Sequence, residues 1–260
     1  MIRPPINLRG ARILVTNDDG IDAPGLKVAE DIARTFSEDV WVVAPETEQS
    51  GTGHSLTLTQ PLRLREISEK RFSLGGSPTD CVLFAVSRIM EGFRPDIVLS
   101  GVNRGANVGD NVTYSGTVAA AMEGAILGLP SIALSQEREY DQPICWDATV
   151  HHGARIVEQL TALPWPNDVF MNVNFPNRNP KEVSGVNVVA QGRQDAGYDI
   201  QERIDPRSNS YFWIGPAVRN GIRVGDTDYQ ALERGEISIT PLHMDLTHHE
   251  ALEQMKGAFS

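Results

Sequence analysis

The chain has 260 residues and carries 34 Asp and Glu against 23 Lys and Arg, a formal charge of −11. That acidity excludes a general affinity for nucleic-acid backbone, which needs a positive face, but leaves open a local site for one small phosphate. With 40% hydrophobic and 22% charged residues, the composition is that of a soluble globular protein, neither disordered nor fibrous, and the length suits one large domain or a domain with a sizeable extension.

Arg12 to Val15 is a short apolar strand that stops at the turn Asn17-Asp18-Asp19-Gly20. Pro24 opens a helix with Leu26, Ala29, Ile32, Ala33 and Phe36 on one face. Val40 to Val43 is the next buried strand, followed by a polar loop from Glu46 to Ser55. Leu56 to Ile67 alternates in the manner of half-buried extended structure, and Arg71 to Leu74 is placed to pair with it. Ser77 caps a helix carrying Val82, Ala85, Val86 and Ile89. Asp96 to Leu99 predicts a third strand running into Ser100-Gly101, and a long glycine–asparagine loop leads to an apolar helix from Thr117 to Leu127. A fourth strand at Pro130 to Leu134, a helix at Val150 to Leu160 and a strand at Val169 to Val173 complete the alternation.

Near-continuous apolar strands alternating with helices indicate a Rossmann-like α/β domain: a mostly parallel sheet covered on both faces, in three layers. Beyond about Pro176 the pattern changes. Val186 to Ala190, Ser210 to Ile214 and Glu236 to Thr240 read as strands joined by polar connections, closed by a short helix from His249 to Lys256. The expected organisation is therefore a core over 1–176 and a β-rich hairpin extension over 177–260 that packs with it.

Two cysteines, Cys81 and Cys145, provide neither a disulfide framework nor a thiolate metal site; Cys81 falls within a helix and is expected to be packed. The longest mostly apolar stretch, Thr117 to Leu129, is broken by Glu123 and falls short of the ~20 residues a bilayer needs. Met1 to Gly10 lacks the apolar segment of a signal peptide. A cytoplasmic protein with no membrane partner is expected.

In open parallel sheets, ligands bind outside the carboxyl ends of the strands, which is where Asp18 and Asp19 fall. Adjacent strand residues face opposite ways, so two neighbouring carboxylates converge only after the strand has ended. A divalent cation relieves their repulsion, and carboxylate oxygens suit Mg²⁺, Mn²⁺ or Ca²⁺; the plainer alternative is an ordinary solvated turn. The stretch Ser100 to Thr117 repeats Gly-x-Asn three times at a spacing of four, as Gly101/Asn103, Gly105/Asn107 and Gly109/Asn111. Such a loop presents backbone N–H groups to an anion. It runs into Ser115-Gly116-Thr117 at a helix N-terminus, a natural phosphate seat. With only Arg104 and Asp110 as charges in the loop, recognition is expected to rest on dipoles and metal, with no basic cluster.

Ser50 is a candidate oxygen ligand and His54 a candidate general acid, although lone loop residues of either type are more often solvated. His151-His152 and His248-His249 lack helical metal-ligand spacing. No Gly-x-Ser-x-Gly elbow and no P-loop lysine occur. A receiver-type phosphoacceptor domain needs an Asp where Leu99 leads into Ser100-Gly101.

Taken together, these segments closely resemble the SurE family, the stationary-phase survival protein nucleotidases. The resemblance rests on Asn17-Asp18-Asp19-Gly20-Ile21-Asp22-Ala23-Pro24-Gly25, on Ala44-Pro45 with Gln49-Ser50-Gly51 and Ser55-Leu56-Thr57, and on Pro78-Thr79-Asp80-Cys81-Val82. It continues through Pro95 to Asn103, Gly105-Ala106-Asn107, Tyr114-Ser115-Gly116-Thr117-Val118, Thr227-Asp228-Tyr229 and Ser238-Ile239-Thr240-Pro241-Leu242. Two departures stand out: Gly76-Ser77-Pro78 in place of Gly-Thr-Pro, and Asp205-Pro206-Arg207-Ser208-Asn209 without a glycine after the arginine.

The resemblance implies a divalent-metal-dependent phosphatase of nucleoside 5′-monophosphates, with 3′-monophosphates and short polyphosphate as further substrates to test. It implies one divalent cation per subunit (Mg²⁺ or Mn²⁺, with Ca²⁺ compatible), held by residues matching Asp18, Asp19, Ser50 and Asn103, and a C-terminal extension that builds a homodimer or homotetramer. Asp18 and Asp19 are then the catalytic pair, and Asn103, Gly105, Asn107, Ser115, Gly116 and Thr117 the phosphate-binding set. The rival expectations are a metal-dependent sugar-nucleotide transferase and a non-catalytic nucleotide-binding stress module.

Overall fold

The computed structural model describes residues 2–139, 142–193, 196–219 and 225–259. In chain order it runs β1 (Ile2–Arg3), β2 (Ile13–Thr16), α1 (Pro24–Arg34), β3 (Val40–Pro45), β4 (Leu64–Ser68), β5 (Arg71–Leu74), α2 (Pro78–Phe84), β6 (Ile97–Arg104), α3 (Gly116–Ile126), β7 (Ser131–Gln136) and α4 (Asp147–Thr161). There follow β8 (Trp165–Pro166), β9 (Val169–Phe175), β10 (Gly185–Val188), β11 (Ala196–Ile204), β12 (Ser210–Arg219), α5 (Asp228–Glu233), β13 (Glu236–His243) and α6 (His249–Phe259). A π-helical turn (Ala85–Ile89) extends α2, and 3₁₀ turns occupy Gly109–Thr113 and Pro180–Glu182.

Nine strands form one sheet in the order β10-β13-β9-β7-β6-β2-β3-β5-β4. From β9 to β5 every neighbouring pair is parallel. Alternation explains the two cores: Ile13 and Val15 enter one with Leu26, Ile32, Ile97 and Ile156, while Leu14 enters the other with Val43, Val82 and Val98. Helices α1 and α4 pack together over the first face, and α2 and α3 over the second. This is the three-layer α/β arrangement expected from the strand runs. The central strand β2 has β6 on one side and β3 on the other, so the chain reverses its direction of travel across the sheet at β2, the place where such folds open a ligand crevice.

Several local expectations change. Only Leu64–Ser68 of the alternating segment is a strand, antiparallel to β5. Leu58 ahead of it is 84% exposed, and the partner strand β5 ends at Leu74, opposite Leu64, so residues before it have no strand to pair with there. Strand β6 runs on through Asn103 by means of a register irregularity between Ser100 and Asn103. Gly101 makes this possible: its φ is 134°, and a Cβ there would lie 2.2 Å from the Leu134 carbonyl oxygen. The first Gly-x-Asn step therefore belongs to a strand end, not to a free loop.

The C-terminal strands are not all hairpins. β13 pairs antiparallel with β9 and parallel with β10, so both extend the main sheet. Helix α5 was also unforeseen, although Thr227-Asp228-Tyr229-Gln230 forms a reciprocal capping box that marks its start. Among the described residues, β11 and β12 make a separate two-stranded hairpin. Its turn is held by Asp205 Oδ1, which accepts the N–H groups of Arg207 and Asn209. Ser208 adopts φ 65° there, in the segment where the family resemblance anticipates a glycine. Among the described residues, no helix is long and apolar enough to cross a membrane.

Candidate active site

Strand β2 is wholly buried and ends at Thr16. The turn after it is fixed by Asn17 Nδ2 donating to the Gly20 carbonyl at 2.9 Å, and by Gln49 N–H donating to the Asp18 carbonyl at 2.8 Å. That second bond ties the loop after β3, which carries Ser50, to the acidic pair. Together with the end of β6, these segments line a cleft of about 230 Å³ containing Asp18, Asp19, Glu48, Ser50, Asn103, Arg104, Asn107, Asn111, Tyr114, Ser115 and Arg138.

Asp18 is buried against the first turn of α3. The Thr117 hydroxyl donates to its Oδ1, and the Thr117 backbone N–H also bonds it. Burial pushes its carboxyl up to about 6; the Thr117 bonds oppose the shift and the neighbouring charge of Asp19 adds to it. Asp19 is likewise raised by burial, against the pull of Arg104. Arg104 donates its Nε to Asp19 Oδ1 at 3.0 Å and its backbone N–H to Oδ2 at 3.2 Å. The same guanidinium places Nη2 2.5 Å from Glu48 Oε1, which also accepts the Ser50 hydroxyl at 2.8 Å. Asn103 Nδ2 donates to the Gly105 carbonyl at 2.8 Å, leaving its Oδ1 as an acceptor on the cleft. Two carboxylates, a hydroxyl and an amide oxygen form an all-oxygen donor set suited to a hard dication.

The structure places the expected phosphate-binding residues in two groups. Asn107 and Ser115 line the cleft, whereas Gly105, Gly116 and Thr117 are not among its lining residues. Gly105 spends its N–H on the Gln136 carbonyl at 2.8 Å. Thr117 spends its hydroxyl on Asp18, so the first turn of α3 faces that carboxylate. Ser115 caps α3 by accepting the Val118 N–H at 3.0 Å, which leaves its hydroxyl proton to donate. Gly116 acts by being small: a Cβ there would lie 2.7 Å from Asp18 Cβ.

The fold also brings Arg138, from beyond β7, to the same cleft as Arg104. His54 is not in the cleft lining; its Nε2 lies 2.9 Å from Glu123 Oε2 on α3, tethering the Ser50 loop to that helix.

Two supports escaped the sequence reading. Asn172 and Asn174, on one face of β9, clamp the Asn107 peptide: both side chains donate to its carbonyl, and Asn174 Oδ1 accepts its N–H at 2.7 Å. Their signal is polar residues at i and i+2 in an otherwise apolar strand. Asp228 on α5 accepts the N–H groups of Gly109, Gly192 and Tyr229 at 2.8 to 2.9 Å. Replacing Asp228 by alanine leaves these buried donors unmatched and is expected to cost on the order of 3 kcal/mol, read by urea unfolding. A loss below about 1 kcal/mol, by the same scale, means that other contacts hold the loop.

The family model described as survival protein SurE matches residues 13–197. The chain is 50% identical over 260 residues to a protein named 5′-nucleotidase SurE from Paramagnetospirillum magneticum, covering 100% of both chains. It is 52% identical over 250 residues to one of the same name from Brucella canis, covering 95% of this chain and 98% of the relative. The crystal structure of the SurE protein from Aquifex aeolicus superposes with a TM-score of 0.82 at 38% identity, covering 95% of this chain and 99% of that one. The chain belongs to the SurE family.

Proposed function

We propose that the chain is a divalent-metal-dependent phosphatase that hydrolyses nucleoside 5′-monophosphates to nucleoside and phosphate. The observation that carries this reading is the pair of carboxylates at the sheet's carboxyl end, Asp18 buried and Asp19 partly buried beside it, in a family whose relatives bear the name 5′-nucleotidase. Neither rival, a sugar-nucleotide transferase or a non-catalytic nucleotide-binding module, gains support from those relatives.

Asp18, Asp19, Ser50 and Asn103 would hold the cation, with Mg²⁺ or Mn²⁺ the preferred ions and Ca²⁺ acceptable to the same oxygens. When bound, it supplies Lewis-acid charge neutralisation and water activation at neutral pH. The protein's own part is mostly positioning and electrostatic. Thr117 fixes Asp18, Arg104 fixes Asp19, and either carboxylate takes the proton released by the attacking water. Asn107, Ser115 and Arg138 receive the phosphoryl oxygens, with Asn103 at the boundary between metal and phosphate. The hairpin β11–β12 exposes Ile200, Ile204, Phe212, Trp213 and Ile214, an apolar surface that suits a homodimer or homotetramer.

A phosphate-release screen of nucleoside monophosphates, 3′-monophosphates and short polyphosphate tests the reading. AMP is expected to release inorganic phosphate without any acceptor, EDTA to remove at least ~99% of the rate, and added Mg²⁺ or Mn²⁺ to restore it. Turnover that survives EDTA would falsify the metal-dependent mechanism; tight nucleotide binding without release would favour the binding module.

A further inference from the structure

Two of the expected metal ligands, Ser50 and Asp19, are joined to each other through Glu48 and Arg104. Ser50 donates its single hydroxyl proton to Glu48 Oε1, so its lone pairs remain for a cation. Glu48 is held by Arg104, and Arg104 spans both oxygens of Asp19 through its Nε and its backbone N–H. The chain Ser50–Glu48–Arg104–Asp19 thus links the loop after β3, the end of β6 and the turn after β2. Asp19 keeps unused lone pairs beyond those Arg104 engages, since each carboxylate oxygen offers two. Three carboxylates (Asp18, Asp19, Glu48) and two guanidiniums (Arg104, Arg138) line the cleft, so it keeps a net negative charge that a cation would offset.

We propose that Glu48 and Arg104 are positioning residues of the metal centre: Glu48 orients the Ser50 hydroxyl and, through Arg104, fixes Asp19. The inference rests on the ligand set of the proposed function. A planar guanidinium fork suits this role because it bridges two carboxylates in fixed geometry, which an ammonium does not. Partners behind the ligands of a metal site commonly set its affinity by 10- to 100-fold.

The test is Mn²⁺ binding to the purified full-length protein, read by electron paramagnetic resonance of the free ion. Glu48 and Arg104 are about half exposed, so their variants are expected to fold, as circular dichroism will report. Glu48→Gln and Arg104→Gln should each raise the Mn²⁺ Kd by roughly tenfold or more. The double variant should be little worse than the weaker single one, because both act in one network. Arg104→Lys keeps the charge without the fork and should recover only part of the affinity. At limiting Mn²⁺ the variants lose activity, and the deficit shrinks as Mn²⁺ is raised. Parental affinity in Glu48→Gln overturns the proposal. So does tighter binding in Arg104→Gln, which makes the guanidinium a competing counter-ion. Asp18→Asn separates the two levels. If it binds Mn²⁺ like the parent, the ligand set fails and the inference with it; if it loses Mn²⁺ while Glu48→Gln keeps it, only the positioning role fails.

Discussion

Replacing Asp18 by asparagine is expected to abolish phosphate release from AMP, by 10²-fold or more, while the protein stays folded. Asparagine keeps the shape of the side chain and an oxygen to accept the Thr117 hydroxyl, but removes the charge that attracts a dication. That charge burdens the metal-free fold, because burial raises the carboxyl to about 6. The folded metal-free protein therefore retains a proton that the unfolded chain has already released. Its stability is fully present below the unfolded pKa of ~3.9 and is lost as pH rises through about 6. The asparagine variant has no such titration. In EDTA, thermal unfolding of the parent should fall relative to the variant between those two pH values and remain lower at neutral pH. Phosphate release within a few-fold of the parent, or a variant that melts well below it at neutral pH, contradicts this account.

Much of the fold was legible because buried parallel strands and their covering helices leave strong local patterns. Ile13 to Val15, the Pro24 helix and the Ser77 cap each carry their own signal. So do Asp18, Asp19, Asn103, Asn107 and Ser115, announced by the end of a strand and the glycine–asparagine repeat; Ser50, singled out as a ligand only by the family resemblance, meets them in one cleft, although the chain separates the set by almost a hundred positions. What was illegible depends on partners distant in sequence. Nothing local says that Thr117 will turn its hydroxyl to Asp18, that Gly105 will donate its N–H to Gln136, or that Arg138 will join Arg104. The same holds for β10 and β13, whose pairing with β9 is decided by tertiary packing. Glu48 looked like one more polar loop residue, and only its contacts with Ser50 and Arg104 give it a task. The chain's acidity is similarly uninformative about a phosphate site, since the cleft carries Arg104 and Arg138 beside its carboxylates.

Gly116→Ala is expected to damage the same carboxylate by displacement, with its charge intact. The added Cβ would lie 2.7 Å from Asp18 Cβ, 3.0 Å from Asp18 Oδ2 and 3.0 Å from Pro78 Cγ. Helix α3 cannot recede, because it is buried on nearly every side and capped by Ser115. Asp18 must move instead, against the Gln49 N–H on its carbonyl and the Thr117 hydroxyl on its side chain. Overpacking of this kind costs about 1–3 kcal/mol, and a misplacement near 1 Å costs ~10²-fold in rate. Urea unfolding and phosphate release from AMP measure the two effects. Gly257→Ala is the control: it lies in α6, where a Cβ meets nothing within 4 Å, and should leave both quantities near parental values. The comparison with Asp18→Asn then divides the carboxylate's role. Asparagine removes charge and relieves the metal-free fold, whereas Gly116→Ala keeps charge and strains it. Loss of turnover in both, with stability moving in opposite directions, assigns catalysis to the charge and the position of Asp18 together. Parental turnover in Gly116→Ala would show that position carries little of it.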